Sequence, residues 1–115
     1  MAFLKLEPML QTLDLQGTID WYRSVLGFRV DAENELWCRL ERDGAALMFM
    51  TNAHFGPPQA TATQYFMVDD VLALWEAVRD RCAIEWGPER MPYGNLEFAT
   101  RDNNGYLLSF GQAVE

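Results

Sequence analysis

Histidine and cysteine, the residues that most often carry metal and nucleophile chemistry, are scarce in this sequence. It has one histidine, His54, and two cysteines, Cys38 and Cys82, in 115 residues. A single loop histidine cannot by itself build a Ser-His-Asp arrangement, and no glycine-rich phosphate-binding loop is present. The cysteine spacing matches no zinc pattern, and we expect both thiols to be reduced and structural. The scarcity weighs against hydrolase and nucleotide chemistry.

Positive charge is also scarce. Nine Lys and Arg residues stand against 17 Asp and Glu residues, which gives a formal net charge of −8. Because nucleic-acid binding depends on a basic surface that neutralises phosphates, we expect no nucleic-acid partner. An acidic surface favours solubility, and it would attract cationic ligands at long range.

Long hydrophobic runs are missing as well. No apolar stretch approaches the roughly 20 residues that a membrane helix needs, and the start, MAFLKLEP, lacks the apolar body and cleavage site of a signal peptide. We therefore expect no membrane partner and a cytoplasmic location. Half of the residues are hydrophobic, which is enough for a packed core.

One stretch has both ends of a helix marked in its sequence. Residues 14–28 read DLQGTIDWYRSVLGF. The opening aspartate can accept a free backbone N–H, Gly27 suits the left-handed position after a helix, and the apolar residues between them recur at helical spacing. The pattern predicts a helix over residues 15–26, with strands on either side at about 7–13 and 28–32.

The second half repeats the order of strand, aspartate and helix. A strand at about 62–68 precedes Asp69 and Asp70, either of which can cap a helix over about 70–82. The other predicted strands are residues 36–42 and 45–50, a short run near Ile84 that ends at Trp86-Gly87-Pro88, and residues 95–100 and 106–111.

The connector at residues 51–62 separates the two halves. It contains Gly56-Pro57-Pro58, which resists both helix and central strand. We expect a single domain over residues 1–115, made of module 1 at about 1–56 and module 2 at about 60–115.

Short motifs in both halves resemble the vicinal oxygen chelate superfamily, which includes glyoxalase I, extradiol dioxygenases, and fosfomycin and bleomycin resistance proteins. The motifs are Thr-Leu-Asp-Leu at 12–15, Trp-Tyr at 21–22, Leu-Gly-Phe at 26–28, Val-Asp-Asp at 68–70 and Arg-Asp-Asn-Asn-Gly-Tyr at 101–106. Asn103 stands where the family usually has a proline. The resemblance implies an α+β fold of two βαβββ modules, whose mixed sheets curl into a ligand-binding cup with the helices outside, and it implies a homodimer.

The resemblance also implies where metal-dependent members hold their ion. Those members place four ligands, mostly His and Glu, on the first and fourth strands of each module. The matching positions here are Glu7, Met48, Thr63 and Ser109, and a shift of two in the fourth strand would substitute Ala46 or Met50 for Met48. One carboxylate, a thioether and two hydroxyls are too few for a hard divalent ion. We therefore expect no metal cofactor.

Alternation along the strands divides their residues between two faces. The face toward the helices should carry Leu10, Cys38, Leu40, Leu47, Phe49, Phe66, Val68, Leu108 and Phe110. The other face should carry Glu7, Met9, Gln11, Trp37, Arg39, Ala46, Met48, Met50, Thr63, Tyr65, Met67, Leu107 and Ser109. A face left to solvent would be mostly charged, whereas this one is rich in methionine and aromatics. It fits an apolar pocket with polar anchors, or a surface that packs against a dimer partner.

Within the superfamily, residues 35–58 are most similar to bleomycin resistance proteins, with Trp37 at their strand-three tryptophan and Tyr93 beside a glycine. The resemblance implies a metal-free protein that sequesters a planar or cationic compound, such as an antibiotic, at or near a dimer seam. The predicted ligand contacts are Glu7, Met9, Gln11, Trp37, Arg39, Met48, Met50, Thr63, Tyr65, Met67, Tyr93 and Ser109, with no catalytic residue.

Two other interpretations stay open at this point. One is a superfamily lyase or isomerase with an atypical or absent metal site, in which Glu7, His54 or Glu97 acts as acid or base. The other is a structural or regulatory dimer that binds no natural ligand.

Overall fold

The computed structural model describes residues 1–51 and 56–114 of the chain. The chain divides into two units, Met1–Pro58 and Gln59–Glu115. Each unit holds one helix and one four-stranded sheet, in the order strand, helix and three strands. The α+β class and the two βαβββ modules predicted from the sequence are confirmed.

The first unit is built from five elements: β1 Met9–Gln11, α1 Leu15–Leu26, β2 Arg29–Glu33, β3 Trp37–Arg42 and β4 Ala45–Met50. Its sheet has the strand order β1-β4-β3-β2. The β1–β4 pair is parallel and the other two pairs are antiparallel, so the sheet is mixed. Helix α1 carries the chain from β1 at one edge of the sheet to β2 at the other edge, and the short turns from β2 to β4 then bring β4 beside β1.

Helix α1 has the bounds and caps that the sequence predicts. The Asp14 side chain accepts a hydrogen bond from the Gly17 N–H at 2.9 Å, and Gly27 ends the helix with a φ of 69°. The apolar face of the helix packs on the sheet through Tyr22, whose ring centroid lies 5.2 Å from that of Phe49 on β4. Both side chains are fully buried and form the centre of this core.

The second unit repeats the pattern with β5 Thr63–Met67, α2 Val71–Val78, β6 Ile84–Arg90, β7 Asn95–Arg101 and β8 Leu107–Ala113. Its sheet has the order β5-β8-β7-β6, again with the first strand parallel to the fourth. Asp70, rather than Asp69, caps α2, because its side chain accepts the Ala73 N–H at 3.0 Å. The core of this unit contains stacked rings, with Phe110 between Phe66 and Phe98.

Two predicted elements are too long. The first strand covers Met9–Gln11 rather than residues 7–13, because the Thr12 hydroxyl accepts the Asp14 N–H at 3.0 Å and turns the chain into the helix cap. Helix α2 ends at Val78 instead of near residue 82, where a hydrogen bond from the Arg81 N–H to the Val78 carbonyl closes a turn.

The prediction that a strand stops at Trp86-Gly87-Pro88 is wrong, because β6 continues through these residues to Arg90. Two shifts in the pairing register, between Ile84 and Trp86 and between Trp86 and Glu89, let the strand bulge there. Since β6 is the edge strand of its sheet, the proline does not interrupt a hydrogen-bond ladder on both sides.

No helix within the described residues is long and apolar enough to cross a membrane. Helix α1 has 12 residues and helix α2 has eight.

Candidate functional site

In the first unit, strand register places the predicted contacts on the sheet face that points away from α1. Met9 pairs with Met48, which pairs with Arg39, and Met50 lies between Gln11 and Trp37. Paired residues on neighbouring strands point to the same side, and the alternate residues, such as Phe49, pack on the helix. This face therefore carries Met9, Met48, Met50 and Trp37 together with polar side chains that include Gln11, Arg39 and Glu41.

The apolar side chains of this face are only partly covered. Met9 is 43 % exposed, and Trp37, Met48 and Met50 are half-buried. Methionine side chains adapt to irregular partners and tryptophan offers a flat ring for stacking. The face can therefore accept an apolar surface without rearrangement of the core beneath it.

In the second unit, the sheet face away from α2 holds the other predicted residues. Tyr65 pairs with Ser109, Met67 pairs with Gly111, and Thr63 pairs with Leu107. Tyr65 and Met67 are exposed, whereas Ser109 is 2 % exposed and its hydroxyl has no hydrogen-bond partner in the described part of the chain. Strand β7 adds residues to the same face through its pairing with β8.

Four polar side chains of the second unit, Tyr65, Tyr93, Asn95 and Glu97, form a hydrogen-bonded group that we call the phenol–carboxylate cluster. The Tyr65 and Tyr93 hydroxyls both donate to the same Glu97 oxygen, Oε2, the latter at 2.6 Å. The Asn95 amide donates to the Tyr65 hydroxyl at 2.8 Å. Glu97 is 1 % exposed, while Tyr65 and Tyr93 are 44 % and 63 % exposed. The cluster is thus a buried carboxylate with two exposed phenol rings attached to it.

A glycine makes room for this cluster. Gly111 on β8 pairs with both Met67 and Glu97. A Cβ atom at this position would lie 2.3 Å from the Tyr65 hydroxyl oxygen. The missing side chain therefore lets the Tyr65 ring lie across β8 and reach the carboxylate on β7.

Both phenols are held in their neutral, hydrogen-donating form. Burial, followed by the hydrogen bond to Glu97, raises the pKa of Tyr65 above its ordinary value. The hydrogen bond to the Glu97 carboxylate, followed by desolvation, raises the pKa of Tyr93. Deprotonation of either hydroxyl would remove a hydrogen bond to the Glu97 carboxyl group and place a negative charge beside it, so both phenols stay hydrogen-bond donors.

The ligand contacts predicted from the sequence include Tyr65 and Tyr93 of this cluster but not Asn95 or Glu97. Glu97 is a candidate acid or base only in the alternative enzyme interpretation, and Asn95 belongs to neither prediction. The signal was present in β7, where Asn95, Glu97 and Ala99 alternate with Leu96, Phe98 and Thr100. The same alternation applied to β7 places Asn95 and Glu97 on one face of the strand, but it does not show that they reach Tyr65, because β8 lies between β7 and β5.

The polar residues of the first unit form a separate ion network around Arg39. The guanidinium contacts the Glu7 carboxylate at 2.6 Å and also pairs with Asp31, while Lys5 lies 2.5 Å from Glu7. Asp31 reaches Arg39 because the register of β2 shifts between Val30 and Ala32, a bulge that alternation does not predict. Glu7 and Arg39 thus bind each other on this face.

The ion network should make stability depend on acid. The hydrogen bond from Arg39, followed by that from Lys5, lowers the pKa of Glu7 from 4.5 to about 2. Because the folded-state pKa is depressed, the stabilisation is fully present above about pH 4.5 and is lost as the pH falls toward 2. Urea unfolding at pH 6 and at pH 3 should show a smaller acid-induced loss of stability in Glu7→Gln than in the wild type.

Glu35→Gln is the matched control, since Glu35 is an exposed carboxylate on the same unit and lies outside the network. This variant should keep the acid sensitivity of the wild type. Equal acid sensitivity of Glu7→Gln and the wild type would show that the Glu7–Arg39 pair does not form in solution.

The sequence matches one family over most of its length. The model of the glyoxalase/bleomycin resistance protein/dioxygenase superfamily matches residues 6–110. The chain belongs to this superfamily. The resemblance read from the short motifs is therefore confirmed, and no curated protein matches the chain in sequence.

Solved structures of the superfamily have the same fold. The bleomycin resistance determinant encoded on the transposon Tn5 is 22 % identical, with a TM-score of 0.82 and coverage of 96 % of this chain and 98 % of that one. A bleomycin-binding protein in complex with bleomycin is 22 % identical with the same coverage and a TM-score of 0.80. The antibiotic-binding protein TnmS3 from Streptomyces sp. CB03234 is 20 % identical, covers 98 % of each chain and has a TM-score of 0.80.

In this chain, the positions that match the superfamily's metal ligands carry few groups that could coordinate a metal ion. The Glu7 carboxylate is already held by a guanidinium and an ammonium, and the other positions offer the Met48 thioether and the hydroxyls of Thr63 and Ser109. Such donors do not fit zinc, iron or manganese, which need carboxylates or imidazoles. Within residues 1–51 and 56–114, no three His, Cys, Asp or Glu side chains gather in a way that could hold a metal ion.

His54, the candidate acid or base of the enzyme interpretation, lies outside the described residues. Of the other two candidates, Glu7 is held in the ion network and Glu97 in the phenol–carboxylate cluster.

Proposed function

We propose that this chain is a metal-free binding protein that sequesters a planar or cationic small molecule, such as an antibiotic. The observation that carries the proposal is the exposure of aromatic and methionine side chains on the sheet faces away from the helices. Tyr65, Tyr93, Met9 and Met67 are each at least 43 % exposed. A surface without a partner would be expected to be mostly charged at these positions.

The aromatic side chains are suited to stacking because their positions are fixed. The hydroxyls of Tyr65 and Tyr93 are both bonded to Glu97, which satisfies their polar ends, while both residues remain exposed. Trp37 is half-buried on β3 beside Met50. Rings that are ordered before binding lose little conformational entropy when a planar ligand packs on them.

The relatives and the net charge support the same conclusion. The similar solved structures include two proteins described by their binding of, or resistance to, bleomycin, and one described as antibiotic-binding. The net charge of −8 favours approach of a cationic ligand. The donors at the superfamily's metal positions favour holding a ligand over metal-assisted conversion of it.

The proposal includes the assembly and the contacts predicted from the sequence. We propose a cytoplasmic homodimer in which residues 1–115 form one domain, with module 1 at about 1–56 and module 2 at about 60–115. The proposed ligand contacts are Glu7, Met9, Gln11, Trp37, Arg39, Met48, Met50, Thr63, Tyr65, Met67, Tyr93 and Ser109. Glu7 and Arg39 would contribute chiefly through the ion network that joins the segment before β1 to β2 and β3.

Trp37→Ala tests the stacking surface, with bleomycin as the probe. Loss of a stacked indole should weaken binding by about 1–3 kcal/mol, because both apolar burial and ring stacking are lost. This corresponds to a dissociation constant raised by about 5- to 150-fold. Isothermal titration of the purified wild type and variant measures the change.

Trp21→Ala is the control, since Trp21 lies on α1 and packs edge-on against Tyr22 at 5.0 Å, away from the sheet face. It should lower stability without changing the affinity for bleomycin. If Trp37→Ala binds bleomycin as tightly as the wild type does, the stacking surface is not on β3.

A further inference from the structure

Glu97 is a buried carboxylate with no cationic partner among the described residues. It is 1 % exposed, and none of the ion pairs within residues 1–51 and 56–114 includes it. Buried carboxylates are usually paired, because removing a charge from water is costly. Its known partners, the hydroxyls of Tyr65 and Tyr93, are neutral donors. The described residues therefore leave the Glu97 carboxyl group without a counter-charge.

A second carboxylate lies beside the first. Glu89 on β6 is the register partner of Glu97 on β7, and it is exposed. Like charges directly opposite one another on neighbouring strands destabilise a sheet. The pairing therefore adds to the negative potential of this part of the surface.

The two tyrosines connect the buried carboxyl group to the protein surface. Both hydroxyls donate to the same Glu97 oxygen, so the hydroxyl ends of the rings converge, while the two residues stay 44 % and 63 % exposed. The face of a tyrosine ring attracts cations through its quadrupole. The Glu97 carboxyl group, bonded to both hydroxyls, lies at the hydroxyl edge of each ring.

We propose that the phenol–carboxylate cluster binds an organic cation, with an alkylated or quaternary ammonium group packed against the rings of Tyr65 and Tyr93 and balanced by Glu97. This proposal rests on the proposed binding function and narrows its ligand class. It assigns the negative charge to Glu97, a residue outside the predicted contact set, and gives the exposed Tyr93 ring a defined partner.

The arrangement favours an organic cation over a hydrated metal ion. A metal ion needs several oxygen ligands in direct contact, whereas the Glu97 oxygen that faces the phenols already accepts two hydrogen bonds. A weakly hydrated alkylammonium group needs no direct contact with the carboxylate, because it interacts with the ring faces and with the field of a charge at the ring edges.

Choline and its neutral carbon isostere, 3,3-dimethylbutan-1-ol, are the probes that isolate the charge. The two molecules have nearly the same shape, so a difference between their affinities measures the contribution of the positive charge. Titration of the full-length chain, followed through the tyrosine ring resonances by NMR, should show choline binding at least about tenfold tighter than the isostere. Equal affinities for the two probes would overturn the proposal.

Glu97→Gln removes the charge and keeps a hydrogen-bond acceptor for both hydroxyls. It should reduce the preference for choline over the isostere to about unity, whereas Asp69→Asn, an equal change of charge at an exposed turn of the same unit, should leave the preference as it is. Tyr93→Leu, at an exposed position, should weaken choline at least about fivefold. If Glu97→Gln does not fold, the proposal is still tested by comparing choline with the isostere on the wild type and by the choline affinity of Tyr93→Leu. A folded Glu97→Gln variant with the wild-type preference would contradict the proposal.

The test of the cation site and the test of the proposed binding function can succeed or fail independently. Binding of bleomycin that depends on Trp37, together with no preference for choline, would leave the binding function in place and reject the cation site. A preference for choline that depends on Glu97 would support the cation site even if bleomycin itself does not bind.

Discussion

Alanine in place of Gly87 is expected to lower the free energy of unfolding by about 3 kcal/mol or more, since strain and overpacking act together. Gly87 has a φ of 83°, a conformation that side-chain-bearing residues rarely adopt. A Cβ atom there would lie 2.3 Å from the Glu97 carbonyl oxygen and 2.9 Å from the Phe98 Cα, and both are backbone atoms that cannot rotate away. Urea unfolding followed by circular dichroism measures the loss.

Gly105→Ala separates the clash from the backbone strain. Gly105 has a φ of 89° but no atom within 4 Å of the Cβ position, so only the strain applies, at about 1 kcal/mol. A similar loss for the two variants would show that β6 can move away from β7 without cost. A larger loss for Gly87→Ala would show that the close approach of β6 to the backbone of Glu97 on β7 cannot relax without cost.

Phe98→Ala is expected to lower the free energy of unfolding by about 3–5 kcal/mol, the range for a buried aromatic residue that leaves a cavity. Phe98 is fully buried and its ring stacks on Phe110, with centroids 5.0 Å apart. It is the next residue after Glu97 and points to the opposite face of β7. Loss of its ring should therefore weaken the core beneath the cluster as well as the unit as a whole.

Phe66→Ala is the matched control within the same stack. Phe66 stacks on the other side of Phe110 at 5.3 Å but is only half-buried. It should lose about half as much stability as Phe98→Ala, since less apolar surface leaves the core. Comparable losses at the two positions would mean that burial does not determine how much each phenylalanine ring contributes to the free energy of unfolding.

Local sequence signals are sufficient to predict a helix boundary where a single residue determines it. Asp14 and Gly27 give α1 its bounds, and the choice between Asp69 and Asp70 was the only uncertainty at the start of α2. Alternation was sufficient for strands with regular pairing, such as β4, whose register with β3 is continuous from Ala45 to Met50. These signals are local, so they can be read without knowledge of the pairing partner.

Irregular strand pairing could not be predicted from the sequence. The bulges that carry β6 through Gly87 and Pro88 depend on the neighbouring strand, and so does the bulge that turns Asp31 toward Arg39. The convergence of Tyr65 and Tyr93 on Glu97 depends on three separate segments and on the missing side chain at Gly111. Alternation predicted that Glu7 and Arg39 share a face, but it did not predict that they bind each other.

A thermal-shift screen of chelator-treated protein against aromatic and cationic antibiotics, bleomycin included, tests the binding function most directly. At a ligand concentration 100 times the dissociation constant, binding adds about 2.7 kcal/mol to the stability of the folded chain. The account predicts that at least one compound raises the melting temperature of the metal-free protein and is recovered chemically unchanged. It would be contradicted if no compound stabilises the metal-free protein, while restored zinc or manganese brings binding or converts the compound.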